Sequence, residues 1–487
     1  MIYLAKVGHI FIISHSKVVI TAYSFIKKPY LSLLFWGGLL FLSIVYASER
    51  ASFADSAWQF FQKLNSESFI FPQQRYGVFW MAIPSWVFIK TGLPLIWQIY
   101  IFSISYILGY FLIWWICYSP LKNKKAAWLV LLSLLLGTRQ NFVHTSSETL
   151  QVLAFSALLY AVLQSELKFW TKGILSTLLL ANTMMIHPIA VFVLGFVVIS
   201  EMIRLPFQRF NWHVALLGIL IGWSFFRFVF SSGNYDAGQY ALLKDIKFKD
   251  LLPWHWVSLK FLITRSYYLY WPTGLLAIWS IFQLLKIQQK TRAIILLMAV
   301  GGYTFIALLT FRTGDSDYMM EKNFLPSVFM ISLLFLETLF LVNSELQESG
   351  SRYLLIASFS GLIICWRGIS LFSDRLNTID ELIELSLKAH QTKSAVIESQ
   401  LKSEIMMVNW ALGTETYLRS HSKYKRSCTI CTLSALNSIG NTSDFLAVPW
   451  EIFPIKELNS TFFVPDSSRY QLLPLKQTSL RQQSRLP

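Results

Sequence analysis

Charged residues are scarce in this sequence. They make up 14% of the chain, against roughly 25% in a typical soluble domain. The shortage is confined to residues 1–372, where long apolar runs recur, whereas residues 373–487 have an ordinary composition. A chain so poor in charge lacks the polar surface that a water-soluble fold needs. The composition therefore excludes a soluble globular domain for the first 372 residues and is typical of a membrane protein.

Acidic residues are in shorter supply than basic ones, with 26 Asp and Glu against 42 Lys and Arg. Residues 373–487 hold 13 basic and 11 acidic residues, which leaves 29 against 15 in the rest of the chain. No basic stripe or RNA-binding motif accompanies this excess, so nucleic acid is not an expected partner. Contact with anionic membrane lipids accounts for the positive charge.

The chain also lacks a cleavage pattern of small residues after its first apolar run, Tyr30–Ala47. We therefore interpret this run as a start-transfer helix that stays in the membrane. Residues 1–29 are expected on the cytoplasmic side, with Val7–Ile26 lying along the interface.

Cysteine is rare. Cys428 and Cys431 have redox-motif spacing without the βαβ context, which leaves a disulfide and two free thiols as open alternatives.

Eleven apolar segments approach the length of about 20 residues that a helix needs to cross a bilayer. They are Tyr30–Ala47, Leu95–Tyr118, Ala126–Gly137, Thr149–Leu163, Gly173–His187, Ile189–Ile203, Val214–Phe230, Tyr268–Leu285, Ala293–Phe311, Phe324–Val342 and Tyr353–Phe372. With a cytoplasmic N-terminus, the short loops richest in Lys and Arg fall inside. The sequence thus predicts an all-α polytopic membrane domain at residues 30–372.

After the eleventh crossing, residues 373–487 are predicted to form a small extracytoplasmic α/β domain. Leu376–Met407 has a helical period, and three later segments are typical of short strands. These strands are Thr429–Leu433, Phe445–Val448 and Thr461–Val464. The region is large enough to bury a core of its own.

The first outer loop is predicted to contain two membrane-parallel helices. Phe53–Leu64 places apolar residues at helical spacing with polar residues between them, which indicates an interfacial amphipathic helix. Val78–Gly92 is apolar, but Pro84 and Lys90 interrupt it, and a crossing here would move the next lysine cluster outside. We therefore expect it to lie along the outer membrane face, joined to the first helix by Ser66–Tyr76.

This layout, with Asp55 just after the first span, resembles the C-type (GT-C) glycosyltransferases. The resemblance implies an enzyme that takes a sugar from a polyprenyl-phosphate carrier at the outer face of a bacterial inner membrane and transfers it to a glycan, lipid or protein acceptor of the envelope. It also implies that Asp55 is the catalytic base, or helps to bind a metal where one is used. An aspartate that simply caps the interfacial helix is the alternative interpretation.

A second similarity is the segment Glu321-Lys322-Asn323-Phe324-Leu325-Pro326 at the outer mouth of a late span. It looks like the Arg-Tyr-x-x-Pro pattern of many GT-C members, although Lys322 and Asn323 replace the Arg and the Tyr. Around Arg75-Tyr76 and Asn409-Trp410-Ala411-Leu412 the chain also resembles a group of uncharacterised multi-spanning proteins of Bacteroidota-type bacteria.

Several cations are candidates for holding the phosphate of such a carrier. Arg75 can pair with a phosphate in bidentate fashion, or it can reach toward lipid headgroups. Arg312 and Lys322 are further candidates, with Glu321, Asp315 and Asp317 organising them. No cofactor is predicted. Asp315 and Asp317, in the same loop as Arg312, form an Asp-x-Asp pair of the kind that can hold Mg²⁺ or Mn²⁺, but solvated loops often contain this pair.

Another outer connection contains Arg139, His144 and Glu148. His144 and Glu148 have the spacing of an acid–base pair, or of the start of a metal-binding pair on one helix face. A Ser-Ser-Glu helix start beside a solvated histidine accounts for the same residues, and it is the preferred interpretation. Glu148 remains a candidate for substrate binding, as does His187 between two predicted spans, because ionisable groups near membrane depth are often functional.

Two other classes of function remain open at this point. A transporter or flippase of lipid-linked material is the first, but eleven unequal spans without a visible repeat argue against it. A non-catalytic scaffold whose C-terminal domain binds an envelope partner is the second.

Overall fold

The computed structural model describes residues 29–69, 71, 75–204, 211–230, 252–398, 401, 406, 408–439, 444–447, 452–464 and 467–473. The predicted interfacial segment Val7–Ile26 lies outside these residues. Up to residue 388 the described elements are helices: α1 Tyr30–Val45, α2 Ala47–Ala51, α3 Ala54–Ser66, α4 Phe79–Ile89, α5 Leu95–Tyr118, α6 Lys124–Leu135, α7 Glu148–Gln164, α8 Phe169–Met184, α9 Ala190–Arg204, α10 Asn211–Phe230, α11 Val257–Arg265, α12 Trp271–Lys286, α13 Lys290–Thr310, α14 Asp317–Leu339 and α15 Ser344–Lys388.

Each of the eleven segments predicted to cross the membrane contains or overlaps one of these helices. In the described part of the chain, α5, α13, α14 and α15 are long and apolar enough to span a bilayer. The remaining helices are shorter or less apolar, so the total of eleven crossings stays a prediction. The chain is therefore a largely helical protein with helices able to span a membrane.

The bundle has a buried centre and an apolar outer surface. Almost every residue of α6, α7 and α14 is buried, whereas α1, α10 and α13 expose large apolar side chains. Exposed apolar side chains of this size are costly in water and suit contact with lipid. Examples are Phe41, Leu112, Phe225, Phe282, Met298 and Phe359.

The first loop contains both helices that the sequence predicts, α3 and α4. The second of them has 11 residues, or about 16 Å of helix, which is too short to cross a hydrocarbon core of about 30 Å. The structure differs from the sequence prediction in the surroundings of α3. Its polar residues Gln59, Gln62 and Lys63 are buried, because α5 covers one side of the helix and residues beyond 408 cover another.

One helix joins the bundle to the C-terminal residues. The 45 residues of α15 extend over about 67 Å, which is longer than a bilayer core, and the helix continues without a break through Ser373. Gly361 and Gly368 allow its backbone to approach residues 135–139 so closely that a Cβ at either position would collide with a carbonyl group there. This close packing holds the connection after α6 in place.

The C-terminal residues form β1 Lys393–Val396, α16 Leu412–Arg419, β2 Thr429–Thr432, α17 Leu433–Ile439, β3 Phe445–Ala447, β4 Ile452–Pro454 and β5 Gln471–Leu472. A parallel sheet has the order β2-β1-β5, with Lys393 opposite Thr429, and β3 pairs antiparallel with β4. The prediction of helix beyond residue 388 is wrong, since β1 forms there, and Thr461–Val464 is not a strand. A central parallel strand is buried on both faces, so its sequence lacks the alternation that identifies an exposed strand.

Cys428 and Cys431 are both buried, reduced cysteines in this region. Burial raises the pKa of Cys431 to about 11, although a hydrogen bond with the Tyr470 hydroxyl opposes the rise. The disulfide alternative is therefore not adopted, and a thiol with so high a pKa is a poor nucleophile at neutral pH.

Candidate active site

Several candidate residues lie together at one end of the bundle, which we call the Asp55 end. They belong to the first turns of α3, α7 and α14 and to the connection between α6 and α7. Asp55 lies in the first turn of α3. The Ser147 hydroxyl caps α7 by accepting from Leu150 N, and the Ser316 hydroxyl caps α14 by accepting from Met319 N. Both helices therefore begin at this end of the bundle. The side chains of their first turns lie near residues 136–147, which connect α6 to α7.

Asp55, His144 and Tyr318 form a contiguous set that we call the Asp55 cluster. The Tyr318 hydroxyl bonds His144 Nδ1 and lies 3.4 Å from Asp55 Oδ2. His144 Nε2 lies 3.6 Å from the same carboxylate oxygen. The Asp55 side chain is 25% exposed, whereas that of His144 is fully buried. Asp55 is therefore the member that a substrate can reach.

Burial determines the protonation state of His144 in the Asp55 cluster. Burial lowers the pKa of His144 to about 4, although the Asp55 carboxylate opposes this shift, so the imidazole is neutral at neutral pH. A neutral imidazole carries one N–H. The Tyr318 hydroxyl donates to Asp55 Oδ2, so the N–H of the ring is on Nδ1 and donates to the Tyr318 oxygen. The arrangement orients the carboxylate through neutral groups, and no Lys or Arg pairs with it in the part of the chain that the structure describes.

Arg75, Glu148 and Lys322 form a second buried set, the Glu148 cluster. Arg75 Nη1 lies 3.4 Å from Glu148 Oε1, and Lys322 Nζ lies 3.3 Å from Glu148 Oε2. His187 is near enough to interact electrostatically with Glu148, and its Nδ1 accepts from Ile189 N. Two cations face one carboxylate, so this set has an excess of positive charge.

The two clusters are neighbours. Glu148, Lys322 and Asp55 each act electrostatically on His144, which places both clusters around that ring. Four of the predicted site residues, Asp55, Arg75, Glu148 and Lys322, therefore lie in one site, with His187 at its edge.

Glu321 lies next to this site but has a structural role. Its carboxylate accepts hydrogen bonds from the backbone N–H groups of Gln140 and Asn141, at 3.0 and 2.8 Å, and from Asn141 Nδ2 at 3.1 Å. These bonds attach the connection that contains His144 to helix α14. A buried carboxylate with three such donors is positioned to hold the loop rather than to meet a substrate.

The remaining acidic candidates make their contacts outside the two clusters. Asp317 pairs with Arg265, and Asp315 is exposed, with its carboxylate accepting from Ser316 N at 2.6 Å. Within the described residues, no group of three or more His, Cys, Asp or Glu side chains is arranged to hold a metal ion. The Asp-x-Asp pair thus gains no third ligand there.

Arg312 also lies away from the two clusters. Its guanidinium donates to the Leu309 carbonyl at 3.4 Å, and its own carbonyl accepts from Val257 N at 2.8 Å. Near Asp317, the ring of Tyr268 lies 5.3 Å from the Arg139 guanidinium and 5.2 Å from that of Arg265. This pair of cation–π contacts is a separate feature of the same end of the bundle.

Two interpretations from the sequence need correction. His144 is buried, so the expected solvated histidine is wrong, although α7 does begin with Ser147 and Glu148. Asp55 makes no capping hydrogen bond to α3.

Sequence reasoning also missed Tyr318. Tyr318 lies four residues before Lys322, on the same helical face, and that spacing was a usable signal.

Comparison of the chain with models of protein families gives no match. Comparisons with curated proteins and with solved structures give no match either. The function of the site is therefore inferred from its geometry and charge.

Proposed function

We propose that this protein is a membrane glycosyltransferase that transfers a sugar from a polyprenyl-phosphate carrier to an acceptor hydroxyl. The observation that carries the proposal is the partly exposed Asp55 carboxylate. It has no Lys or Arg partner within the described residues, and a buried neutral histidine and a tyrosine orient it. A carboxylate in these surroundings is suited to accept a proton.

In this reaction Asp55 takes the proton of the acceptor hydroxyl while the acceptor oxygen bonds to the anomeric carbon of the sugar. The bond between that carbon and the phosphate oxygen breaks, and the polyprenyl phosphate leaves with the bonding electron pair. Arg75 and Lys322 provide the positive charge that stabilises the leaving phosphate. Glu148 holds the two cations in place until the phosphate arrives.

The surroundings of the site suit this type of ligand. The hydroxyl oxygens of Ser56, Ser146 and Thr149 are buried and have no hydrogen-bond partner within the described residues. Each of them is available to a polar ligand. Exposed apolar side chains on α4, among them Trp80 and Phe88, offer a surface for a polyprenyl tail.

The proposed reaction takes place on the outer side of the membrane. With eleven crossings and a cytoplasmic N-terminus, the Asp55 end and the C-terminal α/β region lie at the outer face of a bacterial inner membrane. Envelope glycans, lipids and proteins are the acceptors available there. The carrier's phosphate is negatively charged before and after the transfer, so Arg75 and Lys322 attract it in both states.

The test is turnover of labelled polyprenyl-phosphate sugars by the purified full-length protein in lipid nanodiscs. We expect Asp55→Asn to lower the rate by about 100-fold or more. The matched control, Asp315→Asn, changes an exposed carboxylate at the same end, and its rate should stay within about twofold of wild type. Full activity of Asp55→Asn would contradict the proposal. Movement of labelled lipid across vesicles without any covalent change would contradict it as well.

A further inference from the structure

Helix α3, which carries Asp55, is held at its first residue by the C-terminal part of the chain. Ala54 N donates a hydrogen bond to Glu415 Oε1 at 2.9 Å. Glu415 lies on α16, 361 residues further along the chain, and is fully buried. A carboxylate at this position satisfies one of the free N–H groups at the helix start and interacts favourably with the helix dipole.

Arg375 on α15 holds Glu415 in a fixed orientation. Its Nε donates to Glu415 Oε2 at 3.0 Å and its Nη2 to Glu415 Oε1 at 2.8 Å, which makes a bidentate pair. The same Nη2 donates to the Val408 carbonyl at 2.7 Å. Both charged side chains are buried, so removal of either one breaks a buried bidentate ion pair.

The backbone at this point is strained. Ala54 has a φ of +33°, in a region that residues other than glycine rarely adopt, and it directly precedes Asp55. Such a conformation persists only where its surroundings impose it. The bond to Glu415 is one constraint. Phe53 is another, since its ring lies 5.1 Å from that of Tyr318 and 4.6 Å from that of Phe372.

The far end of α3 is held by the same part of the chain. Asn459 N donates to Asn65 Oδ1 at 2.9 Å, and Asn459 Nδ2 donates to the Leu64 carbonyl at 3.0 Å and to Glu67 Oε1 at 2.9 Å. Between the two ends, the ring of Phe61 packs against that of Phe453 at 4.9 Å. The helix therefore has contacts with the C-terminal residues along its whole length.

We infer that Glu415, held by Arg375, is a positioning residue for Asp55, and that the residues following α15 thereby complete the active site. Glu415 fixes the strained backbone of Ala54, which directs the Asp55 carboxylate toward His144 and Tyr318. This inference rests on the proposed function for its catalytic consequence. The structural part, that Glu415 holds the start of α3, can be tested without any assay of activity.

The experiment uses two variants and a control in the full-length protein. Glu415→Gln keeps an oxygen that can accept from Ala54 N but leaves Arg375 buried without its counter-charge. The double variant Arg375→Met with Glu415→Gln removes both charges and keeps that oxygen. Glu457→Gln, which changes an exposed glutamate in the same region, is the control. Hydrogen exchange of the amides of residues 54–57 and the kinetic constants are measured for all of them.

We expect exchange at residues 54–57 to rise about tenfold in Glu415→Gln and to return most of the way in the double variant. The kcat should fall about tenfold while the KM for the donor stays within about twofold, because the carboxylate is displaced and the phosphate site is not. Unchanged exchange in Glu415→Gln, or raised exchange with unchanged kcat, would overturn the inference. Absence of turnover in the wild type would instead overturn the proposed function, and the exchange data alone would then decide whether Glu415 holds the helix start.

Discussion

The two ends of the helical bundle contain charged clusters that differ in how completely the charges are paired. At the end opposite to Asp55, Glu337 Oε1 lies 3.1 Å from Lys125 Nζ and accepts from Gln164 Nε2 at 3.2 Å, while its Oε2 pairs with Arg292 at 2.5 Å. Glu201 is paired in the same way, with Gln164 and an arginine. Every carboxylate oxygen of this Glu337 cluster has a donor.

At the Asp55 end the pairing is incomplete. The Asp55 carboxylate has no cationic Lys or Arg partner, and the ammonium of Lys63 is buried against the Tyr106 hydroxyl, 3.2 Å away, without a carboxylate; both statements hold within the described residues. A complete buried network holds helices together, whereas uncompensated charge raises the free energy of the folded state. Such charge is typical of sites that bind or react. We therefore expect a structural role for the Glu337 cluster and, under the proposed function, a chemical role for the Asp55 end.

The largest expected effect separates these two roles. Glu337→Ala removes the carboxylate that the buried Arg292 and the partly buried Lys125 share, and we expect it to lower the free energy of unfolding by about 3–5 kcal/mol. Asp55→Ala should change that free energy by less than about 1 kcal/mol, since its carboxylate is partly exposed, while it abolishes turnover. Thermal unfolding in detergent measures both variants. Equal losses of stability would remove the distinction between the two ends.

Acid should weaken the Asp55 end through His144. Its pKa is about 4 in the folded protein and about 6.5 when unfolded, so the unfolded state binds more protons between these pH values. Stability therefore falls as pH drops from 6.5 to 4, by an amount on the order of 3 kcal/mol. His144→Gln should lose this part of the pH dependence. The control His390→Gln, at an exposed position, should keep it.

Replacing Lys63 and replacing Lys125 should change the free energy of unfolding in opposite directions. Burial lowers the pKa of Lys63 to about 7, so the unfolded state binds more protons between pH 7 and 10.5, and stability rises with pH across that range. Lys63→Met should stabilise the protein at pH 7 by about 2 kcal/mol and lose this pH dependence. Lys125→Met should destabilise it, because Glu337 loses a partner. The same sign for both variants would show that pairing does not distinguish the two ends.

The smallest expected effect concerns the Tyr318 hydroxyl. Tyr318→Phe keeps the ring contact with Phe53 but removes the hydroxyl between His144 and Asp55. We expect kcat to fall about fivefold to tenfold, which corresponds to roughly 1 kcal/mol, with little change in the unfolding temperature. Kinetics at several pH values measure it. An unchanged kcat would restrict the site to Asp55 and its phosphate-binding cations.

Much of the architecture could be predicted because it depends on local patterns. Long apolar runs identify helices such as α5 and α15 whatever their neighbours are, since length and composition alone decide whether a helix can span a bilayer. The same reasoning placed Asp55 at the start of a helix in the first loop. Strand β1 was missed, because the sequence Lys-Ser-Ala-Val becomes a strand only through backbone pairing with β2 and β5.

By itself, the sequence determined that the chain is a helical membrane protein and that acidic residues and cations such as Asp55, Arg75 and Lys322 were worth examining. Only the tertiary structure decided which of them meet. It placed a buried His144 and Tyr318 against Asp55, Glu148 between two cations, and Glu415 at the first residue of α3. These contacts join residues up to 361 positions apart, and burial, which sets the charge of His144, is a property of the packed molecule.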